Sequence, residues 1–253
     1  MAVREPVRSF DPNRPLSGKT CLVTGASGGI GKETARGLAR LGARVILVAR
    51  DRDRGERALM ELELELGSSR LYLLTADLSS QREVRRLASD ILKNFAALHV
   101  LVNNAGVFCL SRQLTEDGIE KSLAVNHLAP FLLTRLLLDR LKASAPARVI
   151  NVGSAAYRQG RLLLEDLNLE RQYSPFAAYA RSKLALLLQT LELAERLEGS
   201  GVTVNCLHPG LAATEIFRDF APTWRFLLRL ASASPRRAAR GSLYLASDPA
   251  VQA

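Results

Sequence analysis

The feature that most constrains this chain is a regular exchange between two periods. Six short runs rich in apolar and β-branched residues stand at 20–24, 44–49, 70–75, 100–103, 148–152 and 202–207. Longer stretches with helical spacing separate them, among them 30–41 and 84–95. Strands that alternate with helices predict βαβ units, because parallel neighbours need a crossover and the crossover helix covers the sheet. Right-handed crossovers make a doubly wound arrangement the natural topology. The expectation is therefore α/β: a single doubly wound parallel sheet with helices on both faces, Rossmann-like. The run Glu61-Leu-Glu-Leu-Glu-Leu66 alternates with period two, as a strand would. Glu and Leu are good helix formers and Gly67 supplies a stop, so it reads as a helix end. The stretch 115–142 reads as one long apolar helix.

No repeat or low-complexity linker divides the 253 residues. Residues 1–17 read as an arm and 18–253 as one domain. The span 210–234 breaks the rhythm and carries Trp224, Phe226, Leu227, Leu228 and Leu230. Three readings stay open for it: a lid over an apolar pocket, a membrane-touching surface, or an ordinary packed helix.

Composition removes several classes of function. A hydrophobic content of 47% excludes intrinsic disorder. No run approaches the roughly 18 uncharged apolar residues of a membrane span, and residues 1–16 lack the apolar centre of a signal peptide. The net charge of +10 invites a nucleic-acid reading. Against it, the basic residues are mostly scattered arginines with no long run, and aromatics make up only 6%. An Arg-rich solvated surface is the expectation, with no nucleic-acid partner. Cys21, Cys109 and Cys206 lack metal-ligand spacing, so no metal is expected, and they suit a reducing, cytoplasmic setting.

The first strand runs into Thr24-Gly25-Ala26-Ser27-Gly28-Gly29-Ile30-Gly31, and a helical pattern begins at once. Small residues let backbone approach a pyrophosphate, and a helix N-terminus turns N–H groups and a positive dipole end toward it. The spacing is G-x-x-x-G-x-G rather than G-x-G-x-x-G. An NAD site would place an acid at the end of the second strand, for the ribose 2′-OH. Here Arg50 stands there, suited to a 2′-phosphate, with Asp51 directly after it. NADP(H) is favoured over NAD(H).

Tyr179 and Lys183 lie four apart at the start of a long helical stretch and share a face. A free phenol has a pKa of about 10, so a base near neutrality needs ~4 kcal/mol of help, and a neighbouring cation acts in that direction. Ser154 follows the fifth strand and Asn103-Asn104-Ala105-Gly106 closes the fourth, both at the strand ends where ligands bind in such sheets. Asn126 is a polar residue among Leu123, Val125 and Leu128. It is either a satisfied core amide or part of a proton relay.

Together these motifs resemble the short-chain dehydrogenase/reductase family over nearly the whole chain: T-G-A-S-G-G-I-G at 24–31, N-N-A-G at 103–106, Asn126, Ser154, Tyr179 and Lys183, then Pro209-Gly210 with Thr214 behind. G-K-E-T-A-R at 31–36, V-A-R-D at 48–51 and V-N-H-L-A-P-F-L-L-T at 125–134 resemble the branch of retinol dehydrogenases, with protochlorophyllide reductases as cousins. The resemblance implies that Tyr179 exchanges a proton with the substrate oxygen and Ser154 orients that oxygen. Lys183 then lowers the phenol pKa and holds the nicotinamide ribose, and Asn126 anchors a relay water. The cofactor set it implies is Gly25, Ser27, Gly28, Gly29, Ile30, Gly31, Arg50, Asp77, Leu78, Asn104, Ala105, Gly106, Tyr179, Lys183, Pro209, Gly210 and Thr214.

The implied activity is interconversion of an apolar aldehyde or ketone and its alcohol, in a homo-oligomer with peripheral membrane contact an open option. The alternatives are a light-dependent reductase of the protochlorophyllide type and a non-catalytic dinucleotide-binding scaffold. Three departures stand out. Ala129 replaces the branch's usual Gly, and residues 1–17 do not resemble the apolar N-terminal anchor of the vertebrate members. The sequence stops at Ala253 where the family adds one more strand, so that either a shortened chain or a sheet without that edge strand is expected.

Overall fold

Runs such as Val45-Ile-Leu-Val-Ala49, apolar at consecutive positions and not every second one, suit strands covered on both faces. The computed structural model, described for residues 14–67, 70–210 and 234–251, has six: β1 (Thr20–Thr24), β2 (Arg44–Ala49), β3 (Leu71–Thr75), β4 (Val100–Asn103), β5 (Ala147–Val152) and β6 (Val202–Leu207). They form one parallel sheet in the order β3-β2-β1-β4-β5-β6. The doubly wound, Rossmann-like expectation holds, with the order reversing between β1 and β4.

Alternate residues of each strand feed two cores. Leu22, Ile46, Leu101 and Val149 face α3 (Gln81–Asn94) and α5 (Ala129–Ala143), meeting Leu87, Ile91, Leu133 and Leu137. Val23, Leu47, Val102 and Ile150 face the opposite layer, where α1 (Gly29–Arg40) and α2 (Arg52–Leu66) supply Leu38 and Leu62. That layer also holds α7 (Pro235–Ser247), through Ala246. The alternating Glu-Leu run is the end of α2, and Gly67 closes it in the left-handed conformation at φ 56°. Leu16 is buried and its N–H bonds to Leu41 O, so 14–17 pack against the sheet's lower edge.

The stretch 115–142 is not one helix. Leu114 and Glu120 form an isolated antiparallel bridge, and α4 is a single turn, Lys121–Leu123. A π turn, Ala124–Leu128, then widens the helix before α5 begins. The cause is tertiary. Asn126 reaches out of the helix to the loop after β4, and that pull outweighs a regular ladder. Residues 1–13, Thr214 and all but the ends of the 210–234 span lie outside the described residues.

Candidate active site

Parallel strands put all their carboxyl ends on one edge, and the sequence places a polar or glycine-rich turn after each of them. At β1 the turn is built from backbone. Gly25 takes φ +68°, and a Cβ on Gly31 would stand 2.3 Å from Gly25 O, so only glycine fits there. Thr24 Oγ1 accepts from Asn104 N and Ala105 N, each at 3.0 Å, and Asn104 Nδ2 donates to Thr24 O at 2.8 Å. Asn104 and Ala105 are therefore buttresses behind the glycine turn. Helix α1 starts from Gly28 with no side-chain cap and no acid in its first turn. Its leading N–H groups have no side-chain cap, and Ser27, Gly28 and Gly29 before and at its start are half-buried, an arrangement that fits a pyrophosphate.

After β2, Arg50 lines a cleft of about 510 Å³ together with Asp77, Ser80, Arg82, Glu116 and Lys121. Asp51 is occupied elsewhere: it caps α2, its Oδ1 accepting from Arg54 N at 2.9 Å. Asp77 accepts from Ser79 N and Ser79 Oγ, at 2.9 and 2.8 Å. Leu78 packs on the core under α3 instead of lining that cleft. Gly106 follows the buttress residues, and Pro209 and Gly210 follow β6 at the same sheet edge.

After β5, Ser154 caps a 3-10 turn, Ala155–Gln159, its Oγ accepting from Ala156 N at 3.3 Å, and its side chain neighbours the Tyr179 phenol. Tyr179, Ser182 and Lys183 come from α6 (Pro175–Arg196), whose first turn is set by Ser174 as cap and Pro175 at its start. The Lys183 Nζ sits 5.8 Å from the Tyr179 ring centroid and donates to Val152 O at 2.9 Å. Phe108, from the loop after β4, packs against the phenol ring at 5.4 Å between centroids. Burial holds the Tyr179 pKa above its usual value, and the neighbouring Ser154 hydroxyl opposes this. Burial likewise brings the Lys183 ammonium down to about 8, with Cys206 pulling it the other way.

Asn126 is a fully satisfied amide. Its Oδ1 accepts from Val107 N at 2.8 Å, and its Nδ2 donates to Val107 O at 3.0 Å and to Ser182 Oγ at 2.9 Å. The four residues Asn126, Ser154, Tyr179 and Lys183 are thus brought together at one edge, with Ser182 as the link between Asn126 and α6.

Two pairings escaped the sequence reading. Asn103 and Asn151, paired in register on β4 and β5, join by Nδ2 to Oδ1 at 2.8 Å, and Asn151 Nδ2 continues to Thr190 Oγ1 at 2.8 Å. Two asparagines closing adjacent apolar strands were the available signal. Arg181 and Glu120 form a buried ion pair at 3.5 Å. Nothing local distinguishes Arg181 from the other arginines of this chain.

Known proteins point the same way. A family model described as short chain dehydrogenase matches residues 19–223. Retinol dehydrogenase 11 of Mus musculus is 45% identical, over 92% of this chain and 75% of its own length. Retinol dehydrogenase 14 of Homo sapiens is 43% identical, over 97% of this chain and 78% of its own. Among solved structures, the Pseudomonas aeruginosa RhlG/NADP active-site complex superposes with a TM-score of 0.76 at 31% identity, covering 95% of this chain and 94% of that one. A metagenomic short-chain oxidoreductase in complex with NADP gives 0.71 at 29%, covering 92% and 93%.

Proposed function

The chain belongs to the short-chain dehydrogenase family, in its retinol dehydrogenase-like branch, and from that premise we propose an NADP(H)-dependent oxidoreductase that interconverts an apolar aldehyde or ketone and its alcohol. One observation carries the reading: the buried Tyr179 phenol has the Ser154 side chain as its neighbour and Lys183 Nζ at 5.8 Å from its ring centroid.

In the reducing direction the neutral phenol of Tyr179 donates its proton to the substrate oxygen, which Ser154 holds in place. The buried phenolate left behind is unfavourable, and the Lys183 ammonium together with the Ser154 hydroxyl stabilises it. An ammonium has three donors, and the one bonded to Val152 O fixes where the others point. The side chain of Asn126 is already committed to Val107 and Ser182. Any relay water it anchors therefore hangs from its main-chain carbonyl in the π turn. The dinucleotide, when bound, supplies the hydride, and its oxidised form supplies a positive charge that favours phenolate.

The glycine cradle and the uncapped α1 would hold the pyrophosphate. Arg50 would meet the 2′-phosphate, a choice supported by Asp51 being spent as a helix cap. An apolar substrate is supported by Leu110, Leu163, Leu164 and Phe176, all exposed on the segments that flank Ser154 and Tyr179. Exposed Phe131 on α5 and Leu191 on α6 favour self-association. Among the described residues no helix is long and apolar enough to cross a membrane.

The test is oxidation of NADPH, followed across a panel of hydrophobic aldehydes and ketones that includes retinal, with NADH in parallel. Turnover of at least one member, with NADPH the better donor, is the expected result. Tight NADPH binding with no turnover on any member would overturn it.

A further inference from the structure

We propose that the buried pair Glu120–Arg181 is a positioning device that sets the substrate-side loop, residues 163–173, over Ser154 and Tyr179. This rests on the activity proposed above. Arg181 is 2% exposed and Glu120 is fully buried. Replacing a buried ion pair by packed apolar side chains is often neutral or stabilising, so overall stability is a weak reason to keep one; fixing a register is a better one.

What the pair touches specifies that register. Arg181 lies on α6 between Tyr179 and Lys183, and its Nη2 donates to Glu120 Oε2 at 3.5 Å. Its Nη1 donates to Asp166 O in the loop at 3.1 Å. Glu120 Oε1 and Oε2 also accept from Ser122 N and Leu123 N, capping α4 at the head of the turn that carries Asn126. The backbone N–H of Glu120 donates to Asn168 Oδ1 at 3.0 Å, so the loop is held at two points. One ion pair thus ties together the helix of Tyr179 and Lys183, the segment of Asn126, and the loop.

The loop is bent to suit. Leu169, a non-glycine residue with φ 47°, sits directly after Asn168. Such a conformation is uncommon for a bulky side chain and persists only where neighbouring contacts over-determine it. Those contacts are here the Asp166 and Asn168 anchors, with Asp166 Oδ1 also accepting from Glu170 N at 2.7 Å. The exposed Leu163, Leu164 and Leu167 ride on the same segment, so its placement decides which apolar surface the substrate meets.

Arg181 is a positioning residue in this account, and its loss is read in substrate affinity more than in chemistry. Arg181→Met is expected to raise KM for the best carbonyl substrate by about tenfold or more while kcat falls by less than about threefold. NADPH affinity stays within about twofold, and amide hydrogen exchange over 163–173 speeds up. Arg181→Lys, which keeps a charge for Glu120, recovers most of the KM. Unchanged KM together with unchanged exchange in Arg181→Met overturns the proposal, as does a fall in kcat alone. If Arg181→Met does not fold, Glu120→Gln carries the same comparison, and normal KM and exchange in that variant overturn it. Should wild type turn over nothing, the activity reading fails, while the exchange measurement still decides whether the pair holds the loop.

Discussion

In the function proposed above, the turn after β1 meets its ligand with backbone N–H groups, and side chains serve as buttresses from behind. Across the same sheet edge, the groups proposed to react are the side chains of Ser154, Tyr179 and Lys183, and the backbone carbonyl of Val152 is the buttress. The first arrangement fails by addition of atoms and the second by removal. A pyrophosphate can be met by any N–H array of the right curvature, whereas a proton must leave from one particular oxygen.

The sharpest way to break this contrast is to remove one atom from the second region. Tyr179→Phe is expected to lower kcat by about 10²–10⁴-fold with NADPH affinity unchanged, read by single-turnover kinetics beside fluorescence titration. Joint loss of binding and turnover would mean the two regions are not separable. Adding one atom to the first region should do the reverse. Gly31→Ala drives a Cβ into Gly25 O and Asn104 Nδ2. It should weaken dinucleotide binding by about ten- to a hundredfold and lower stability by about 1–3 kcal/mol. Calorimetric titration and urea unfolding measure both, and wild-type affinity in this variant would refute the backbone account.

A smaller effect tests the edge of the first region. Arg50→Ala should cost NADPH about tenfold in affinity and leave NADH untouched; equal losses for both would remove the 2′-phosphate assignment. The smallest effect addresses the scaffold that both regions share. His99 Nδ1 accepts from Thr20 N at 3.0 Å, at the entry to β1 and β4, and so must be neutral. Burial, helped by Lys19, lowers its pKa from 6.5 to about 4. The unfolded chain then binds the extra proton first, so stability is full above pH 6.5 and declines as pH falls toward 4. Discounted for partial solvent contact, the loss is about 1–2 kcal/mol. His99→Gln, which keeps an acceptor that does not titrate, should flatten that slope in urea midpoints measured from pH 4 to 7.

The same contrast explains what could be read from residues alone. All six strands were legible to within a residue, because each is a short run of mostly apolar and β-branched residues, whether fully buried as β1, β4 and β5 are or more open as β3 and β6 are. The glycine turn and the Tyr179/Lys183 spacing were legible because each is a local pattern. The break in 115–142 was not. It depends on Asn126 finding Val107 through tertiary contact, and its own neighbours look uniformly helical. The Glu120–Arg181 pair was invisible for a similar reason, since 61 residues separate its members. Asn104, expected along the cofactor cleft, braces the glycine turn through Thr24 O and Gly25 O, a role its own neighbours do not announce.

That brace has a consequence in time. Thr24 and Asn104 are 80 residues apart. At a synthesis rate of about 5–20 residues per second, the glycine turn leaves the ribosome roughly 4–16 s before the side chain that closes it. During that interval β1 has β2 for a neighbour but not β4, and the glycine turn lacks the Asn104 brace. Maturation of the nucleotide edge is thus timed by the fourth strand, and slow decoding between residues 24 and 104 would lengthen the period in which a nascent chain carries a half-built site.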